Sequence, residues 1–278
     1  MKSNHTGKWG REPLNGQTGG MELMPVVVRN VVIGEGMPKI CAPIVGKTKK
    51  EILNEAKTLL SASADMAEWR VDWFEDALCI AEVMDALKGL REILKEVPLL
   101  FTFRTAAEGG EREIGQDAYT MLNQAAAESG DADLIDVELF MGDSVVSDVI
   151  TAAHDRGVRI VASNHDFFRT PDREEMIRRL CRMQSLGADI LKIAVMPQSP
   201  NDVLTLLSAT EEMHRNYAKR PIVTMSMSGM GMISRLCGEL FGSAVTFGSA
   251  AKASAPGQIG TEDLEKALLL FHEGLQSC

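Results

Sequence analysis

The segment DLIDVEL (residues 133–139) is followed by a longer amphipathic segment and then by VRIVASN (residues 158–164). Short apolar runs rich in branched residues are typical of buried parallel strands, and apolar residues at helical spacing are typical of the helices between them. Eight such strand candidates follow one another from Lys39 onward. This alternation predicts a chain of repeated βα units.

The eight predicted strands are evenly spaced, and no GxGxxG turn follows any of them. Both features favour a closed (β/α)₈ TIM barrel over an open doubly wound sheet. VVVRNVVIGEG (residues 26–36) precedes the first strand and predicts a β-hairpin that covers the barrel bottom. The strands are KICAPIVG from Lys39, DMAEWRVDW from Asp65, PLLFTFR from Pro98, DLIDVEL from Asp133, VRIVASN from Val158, DILKIAV from Asp189, PIVTMSM from Pro221 and SAVTFGS from Ser243.

Two helix starts carry a clear local signal. Thr170-Pro171 and Ser199-Pro200 each offer a hydroxyl that can cap a helix, followed by a proline suited to the first helical position. The sequence therefore predicts that one helix begins at Pro171 and another at Pro200.

The chain has 278 residues, 45% of them apolar, which is enough for one large core. We expect a single catalytic domain over residues 25–278. Residues 1–24 are polar and glycine-rich, without the apolar core of a signal peptide, and are predicted to be a flexible leader or tail.

Charge and cysteine content narrow the possible partners and the compartment. The formal net charge of −10 disfavours binding to nucleic acid or to an anionic membrane, and no apolar run approaches the roughly 18 residues that span a bilayer. The five cysteines form no CxxC pair, a pattern that fits a reducing cytoplasm. We therefore expect a cytoplasmic protein that acts on a small molecule.

Charged side chains occur in strands that should be apolar. Glu68, Arg70 and Asp72 share one face of the second strand, and Arg104 has the matching parity on the third. A buried structural ion-pair cluster would explain this pattern as well as a functional site would. Glu108, just beyond the third strand, taken alone is most simply a solvated loop carboxylate.

Lys192 lies in the middle of the apolar run DILKIAV, on the same face as Ile190 and Ala194. A lysine there either snorkels from a strand end or serves chemistry. At neutral pH an ordinary lysine, with a pKa of about 10.4, is almost entirely protonated, so nucleophilicity requires burial or nearby positive charge. Arg70, Arg104 and Arg235 are the candidate charges. Such an amine can attack a carbonyl to form an iminium, which needs no metal or organic cofactor.

Three loops after strands could complete a site at the barrel mouth. His165 ends the fifth strand and is a candidate general acid and base, although a lone loop histidine is more often structural. Arg235 follows a glycine-rich turn and suits a carboxylate or phosphate. The last βα loop, which contains Ser254 and Gln258, is either a mobile lid or a passive loop.

Six motifs together resemble type I 3-dehydroquinate dehydratase, over a range from about Val26 to the last helix. They are EWRVD at Glu68, FTFR followed by EGGE at Phe101 to Glu111, SNHDF at Ser163, KIAVMP at Lys192, TMSM with ISRL around Arg235, and SAPGQI at Ser254. One departure is Pro43 in the first strand, where some relatives have serine, so no ligand contact is assigned there.

The resemblance implies a hydro-lyase of the shikimate pathway that converts 3-dehydroquinate to 3-dehydroshikimate and water. Lys192 would form a Schiff base with the C3 ketone, His165 would act as general acid and base, and Glu108 would orient His165. The resemblance also implies a homodimer. Substrate contacts are implied for Glu68, Arg70, Arg104, Arg235, Ser254 and Gln258.

Two alternatives remain open from the residues alone. A Schiff-base class I aldolase or transaldolase would share the barrel lysine but break a C–C bond. A non-catalytic barrel that binds a small acid would keep the charged mouth without turnover. The type II dehydratase is disfavoured, because its chemistry would leave Lys192 unexplained.

Overall fold

The structure is a computed structural model, and it describes residues 23–250 and 257–277. Within these ranges the chain alternates between strands and helices. The strands are β1 Val26–Val28, β2 Val31–Ile33, β3 Lys39–Ile44, β4 Met66–Arg70, β5 Leu99–Thr102, β6 Leu134–Glu138, β7 Arg159–Asp166, β8 Ile190–Val195, β9 Ile222–Ser226 and β10 Val245–Phe247. The helices are α1 Lys49–Leu59, α2 Ile80–Leu94, α3 Gln116–Ser129, α4 Asp143–His154, α5 Arg173–Ser185, α6 Pro200–Asn216, α7 Ile233–Leu236, α8 Gly238–Phe241 and α9 Thr261–Gln276.

Strands β3 to β10 form one parallel sheet that closes into a barrel. From β3 to β8, each strand pairs with the next along the chain, and β10 pairs with β3. The remaining seam lies between β9 and β10, where a parallel bridge joins Ile222 to Ser243 and the amide of Ala244 donates to the carbonyl of Ile222 at 2.8 Å. The predicted (β/α)₈ barrel is therefore confirmed.

The barrel has an apolar lower end that the hairpin covers. Val26, Val28 and Ile33 of the β1–β2 hairpin pack in one cluster with the first residues of several strands, such as Met66 and Leu134. Since parallel strands all start at the same end of a barrel, this contact places the hairpin at the amino-terminal end, as predicted. The functional end is therefore the opposite one, where the strands finish.

The helices bury apolar stripes against the outside of the sheet. In α2 the stripe includes Val83, Leu87 and Leu90, as the helical spacing predicted. Among the described residues, no helix is both long enough and apolar enough to cross a membrane.

Two local predictions were wrong in detail. Helix α5 begins at Arg173 with Asp172 as its N-cap, not at Pro171, because the Thr170 hydroxyl donates to the carbonyl of Met196 at 3.1 Å instead of capping a helix. Strand β4 ends at Arg70, and residues 71–73 form a 3₁₀ turn, so Asp72 does not belong to the strand. The other predicted start was correct, since Ser199 is the N-cap of α6 and Pro200 opens it.

Leu87→Ala should destabilise the fold, because Leu87 is completely buried between α2 and the sheet. Removing a buried leucine side chain typically costs about 2–5 kcal/mol of unfolding free energy. Leu78→Ala is the matched control, since Leu78 is 60% exposed, and it should change stability by less than about 0.5 kcal/mol. Urea unfolding of both variants measures the difference, and equal losses would contradict this packing.

Candidate active site

The barrel interior near the strand ends is charged, and Lys192 lies at its centre. Its side chain extends from β8 and is only 5% exposed. The Nζ atom lies 3.7 Å from Oε1 of Glu68, 3.9 Å from Oδ2 of Asp136 and 4.3 Å from the centre of the Phe247 ring. Two carboxylates and an aromatic face thus lie beside the buried amine. The charges predicted near it from the sequence were those of arginines.

His165 and Glu108 form a hydrogen-bonded pair beside this lysine. Nδ1 of His165 lies 3.0 Å from Oε2 of Glu108, and the same oxygen accepts the backbone N–H of His165 at 2.8 Å. The other oxygen of Glu108 accepts from the amide of Asn164 at 2.9 Å. If Nδ1 carries the shared proton, Nε2 is the atom available to exchange a proton with a ligand.

Burial shifts the pKa of both partners in this pair. Burial, with the nearby Glu138 carboxylate acting in the same direction, raises the pKa of Glu108 to about 8. Burial lowers the pKa of His165 well below its usual value, and the positive charges of Arg104 and Lys192 lower it further. The imidazole is therefore neutral at neutral pH and can accept a proton.

Arg104 follows β5 and is held by carboxylates from β6. Its guanidinium donates to Asp136 and to Glu138, each at 2.8 Å, and to the hydroxyl of Ser163 at 3.0 Å. Asp136 and Glu138 are not among the residues that the sequence predicted for the site. Their signal was nonetheless present, because two acidic residues alternate with apolar ones in DLIDVEL.

Arg70 is fixed by Asp72 in a two-point ion pair. Its Nε and NH2 atoms donate to the two carboxylate oxygens of Asp72 at 2.8 and 2.7 Å. Asp72 also accepts the backbone N–H groups of Arg104 and Glu111, at 3.2 and 3.1 Å. Asp72, in the 3₁₀ turn after β4, therefore links the end of β4 to the segment that follows β5.

Arg235 lies in α7 and is almost completely buried. Its NH1 atom lies 3.6 Å from the sulfur of Met225. Burial lowers the pKa of Arg235 to about 10, which still leaves the guanidinium charged at neutral pH. A buried permanent cation is well suited to bind an anionic group of a ligand.

Two glycines of the EGGE motif are required by close packing. Gly109 has a φ of 80°, and a Cβ there would lie 2.3 Å from the Phe167 ring. A Cβ on Gly110 would lie 1.9 Å from the carbonyl oxygen of Arg104. The motif thus lets the loop fold tightly enough to bring Glu108 to His165.

Eight of the nine predicted site residues line one cavity. They are Glu68, Arg70, Arg104, Glu108, His165, Lys192, Arg235 and Gln258. Ser254, the ninth, lies outside the described residues. The other lining residues were not predicted as site residues and are Gly109, Phe167, Ala194, Met225, Met227 and Phe247.

Comparison with known proteins shows the family to which the chain belongs. The sequence profile of the family described as type I 3-dehydroquinase matches residues 40–274. A 3-dehydroquinate dehydratase of Clostridioides difficile is 58% identical over 250 residues, which are 90% of this chain and 98% of that protein. The chain belongs to the type I 3-dehydroquinase family.

Other members of the family show the same correspondence. An Escherichia coli 3-dehydroquinate dehydratase is 54% identical over 251 residues, covering 90% of this chain and all of that protein. The crystal structure of the type I enzyme from Clostridium difficile with covalently modified comenic acid superimposes with a TM-score of 0.89. It is 57% identical and covers 91% of this chain and 99% of its own.

The His165 imidazole should remain neutral as the pH falls through about 6.5, the ordinary histidine value, because its pKa is lowered. NMR titration of ¹⁵N-histidine-labelled protein measures this, with a His165→Gln variant to assign the signal. Half-protonation of His165 at or above pH ~6.5 would contradict the electrostatics described above.

Proposed function

We propose that this chain dehydrates 3-dehydroquinate through an imine on Lys192. As a member of the type I 3-dehydroquinase family it is a hydro-lyase, a 3-dehydroquinate dehydratase of the shikimate pathway. The proposal concerns which residues carry each step. The observation that carries it is the buried amine of Lys192, which shares one cavity with the His165–Glu108 pair.

The first step is attack of the Lys192 amine on the C3 ketone. The carbonyl oxygen leaves as water, and an iminium forms. Its positive charge withdraws electrons from C2 and acidifies the C–H bond there. The Clostridium difficile relative is described as carrying covalently modified comenic acid, which supports the presence of a group in this fold that forms covalent adducts.

His165 then removes the C2 proton and returns a proton to the departing C1 hydroxyl. A neutral imidazole is required for the first transfer, and the lowered pKa of His165 provides it. Glu108 fixes the ring through Nδ1, which orients Nε2 for proton exchange with the ligand. Hydrolysis of the product imine releases 3-dehydroshikimate and restores the lysine.

The substrate carboxylate is assigned to Arg235, with Gln258 and Ser254 contributing from the last loop. The buried guanidinium of Arg235 supports this, because it can bind a carboxylate through two parallel hydrogen bonds. Glu68, Arg70 and Arg104 are assigned to the ring hydroxyls. The Arg104 guanidinium would then contact a ring hydroxyl while it also donates to Asp136 and Glu138.

Family membership favours dehydration over the two alternatives. An aldolase or transaldolase would also form the imine, but it would release an aldehyde. A barrel that only binds a small acid would not require a proton-transfer pair such as His165 and Glu108 beside a buried amine. Dehydration of 3-dehydroquinate without an aldehyde product distinguishes all three.

The remaining assignments concern the whole protein. We expect one catalytic domain over residues 25–278 preceded by a leader or tail at residues 1–24. We also expect a cytoplasmic location and a homodimer. The iminium is itself the electron sink, so the reaction should need neither a metal nor an organic cofactor.

Borohydride with 3-dehydroquinate should inactivate the enzyme irreversibly and add ligand mass at Lys192, because reduction converts a reversible imine into a stable amine. Peptide mass mapping locates the adduct, and Lys192→Ala should abolish it. An adduct on another lysine, or none during full turnover, would refute the imine on Lys192.

His165→Ala should lower turnover by about 10² to 10⁴, the usual contribution of a positioned acid and base, while borohydride still traps some ligand on Lys192. Glu108→Ala should produce a milder loss, because the imidazole remains but is no longer oriented. Steady-state kinetics and adduct yield are measured on the same preparations. Near-normal turnover with a normal pH profile in His165→Ala would make this histidine structural.

A further inference from the structure

Asp136 is a buried carboxylate with one oxygen engaged and the other directed at Lys192. It extends from β6 into the barrel and has no exposed surface. Its Oδ1 accepts from Arg104 at 2.8 Å and from the Ser163 hydroxyl at 2.7 Å. Within residues 23–250 and 257–277, no donor lies within hydrogen-bonding distance of Oδ2, whose cationic neighbour is Nζ of Lys192 at 3.9 Å.

The position of Asp136 separates it from the groups that can touch a ligand. Glu68, the other carboxylate near Lys192, lines the cavity, whereas Asp136 is not among the described residues that line it. A ligand that engages Glu68 would weaken the interaction of Glu68 with the lysine. Asp136 would keep its interaction with Lys192, because a ligand in the cavity would not contact it.

We propose that Asp136 is a positioning residue that keeps the Lys192 nitrogen positively charged, both before the reaction and in the iminium. This rests on the proposed imine. The ammonium loses one proton to become the attacking amine, and a proton is taken up again when the hydroxyl of the addition product leaves as water. The net conversion of ammonium and ketone to iminium therefore conserves charge: the nitrogen keeps one of its three protons, and the other two end in the water. One fixed counter-ion therefore suits both states.

The advantage of such a counter-ion lies in the chemistry of the intermediate. An unprotonated imine is a poor electron sink, and only the protonated form strongly acidifies the neighbouring C–H bond. Burial alone disfavours the cation. A carboxylate 3.9 Å away opposes that effect and keeps the intermediate in its reactive form.

The other charged or titratable groups around Lys192 do not duplicate this role. Arg70, Arg104 and Arg235 are cations, and Glu68 lines the cavity. Cys41, Glu108 and His165 are buried groups whose shifted pKa values favour their neutral forms. The charged and titratable groups that act on Lys192 or share its cavity are Cys41, Glu68, Arg70, Arg104, Glu108, Asp136, His165 and Arg235.

Asp136→Asn removes the charge while keeping nearly the same shape. An opposite charge within about 4–6 Å typically shifts a pKa by about one to three units. The basic limb of the kcat–pH profile should therefore move to lower pH by about that amount, because the iminium loses its proton earlier. Borohydride trapping with 3-dehydroquinate should still place the adduct on Lys192.

A second readout needs no substrate. The pH dependence of Lys192 acetylation by acetic anhydride, followed by peptide mass mapping, reports how easily the free amine forms. In Asp136→Asn this profile should also move to lower pH by about one to three units. If borohydride finds no adduct on Lys192 in the unsubstituted protein, the imine proposal fails, while acetylation still tests the effect of Asp136 on the lysine.

Glu138→Gln is the matched control, because Glu138 lies on the same strand and binds the same Arg104 but forms no described ion pair with Lys192. It should leave the acetylation profile of Lys192 in place. The kcat–pH profile of this variant does not serve as a control, because Glu138 also raises the pKa of Glu108. Asp136→Glu keeps the charge and should stay close to the unsubstituted profiles. Asp136→Ser, which also removes the charge, replaces Asp136→Asn if that variant does not fold.

Two results would overturn the proposal. One is a folded Asp136→Asn or Asp136→Ser protein in which the basic limb and the acetylation profile are both unchanged. The other is an equal shift of the acetylation profile in Glu138→Gln, which would mean that any lost carboxylate near Arg104 has the same effect on Lys192.

Discussion

The structure depends on one electrostatic constraint. Lys192 lies on an interior strand, where its amino group is almost out of contact with water. An isolated buried ammonium is strongly unfavourable, so the barrel supplies carboxylates close to it. Glu68 and Asp136 meet Lys192 from β4 and β6, and Arg104 in turn balances Asp136 and Glu138. The charges of these five residues thus compensate one another.

This network requires a closed barrel with two different ends. The interior near the strand starts is filled by apolar side chains, and the hairpin residues Val26, Val28 and Ile33 pack against them. Water is therefore excluded from the lower end, and the charged half opens only at the side where the strands finish. A parallel barrel brings those strand ends together, so residues that are distant in sequence, such as Glu68 and Lys192, become neighbours.

Much of this could be predicted from local sequence patterns, since strand periodicity and parity depend on neighbouring residues. These local patterns predicted the eight strands, and the alternation of side chains along each strand placed Glu68 and Lys192 in the barrel interior. The misses depend on contacts between distant segments. The Thr170 hydroxyl donates a hydrogen bond to the carbonyl of Met196, so it does not cap α5, which begins at Arg173. Asp136 follows the same parity rule as Glu68, but only its distance from Lys192 shows its importance.

Burial, together with the balance of charge, also explains the raised pKa of Glu108. Four cations, Arg70, Arg104, Lys192 and Arg235, are accompanied by four carboxylates, Glu68, Asp72, Asp136 and Glu138. Glu108 would be a fifth negative charge in a buried site, and its pKa rises to about 8. The pKa of His165 falls for the opposite reason, since burial and nearby cations disfavour imidazolium. The pair can therefore take up one proton without leaving an isolated imidazolium in the buried site. The dehydration removes a proton from carbon and returns one to the leaving hydroxyl. A pair that holds the proton between these two steps recovers its starting charge after each turnover.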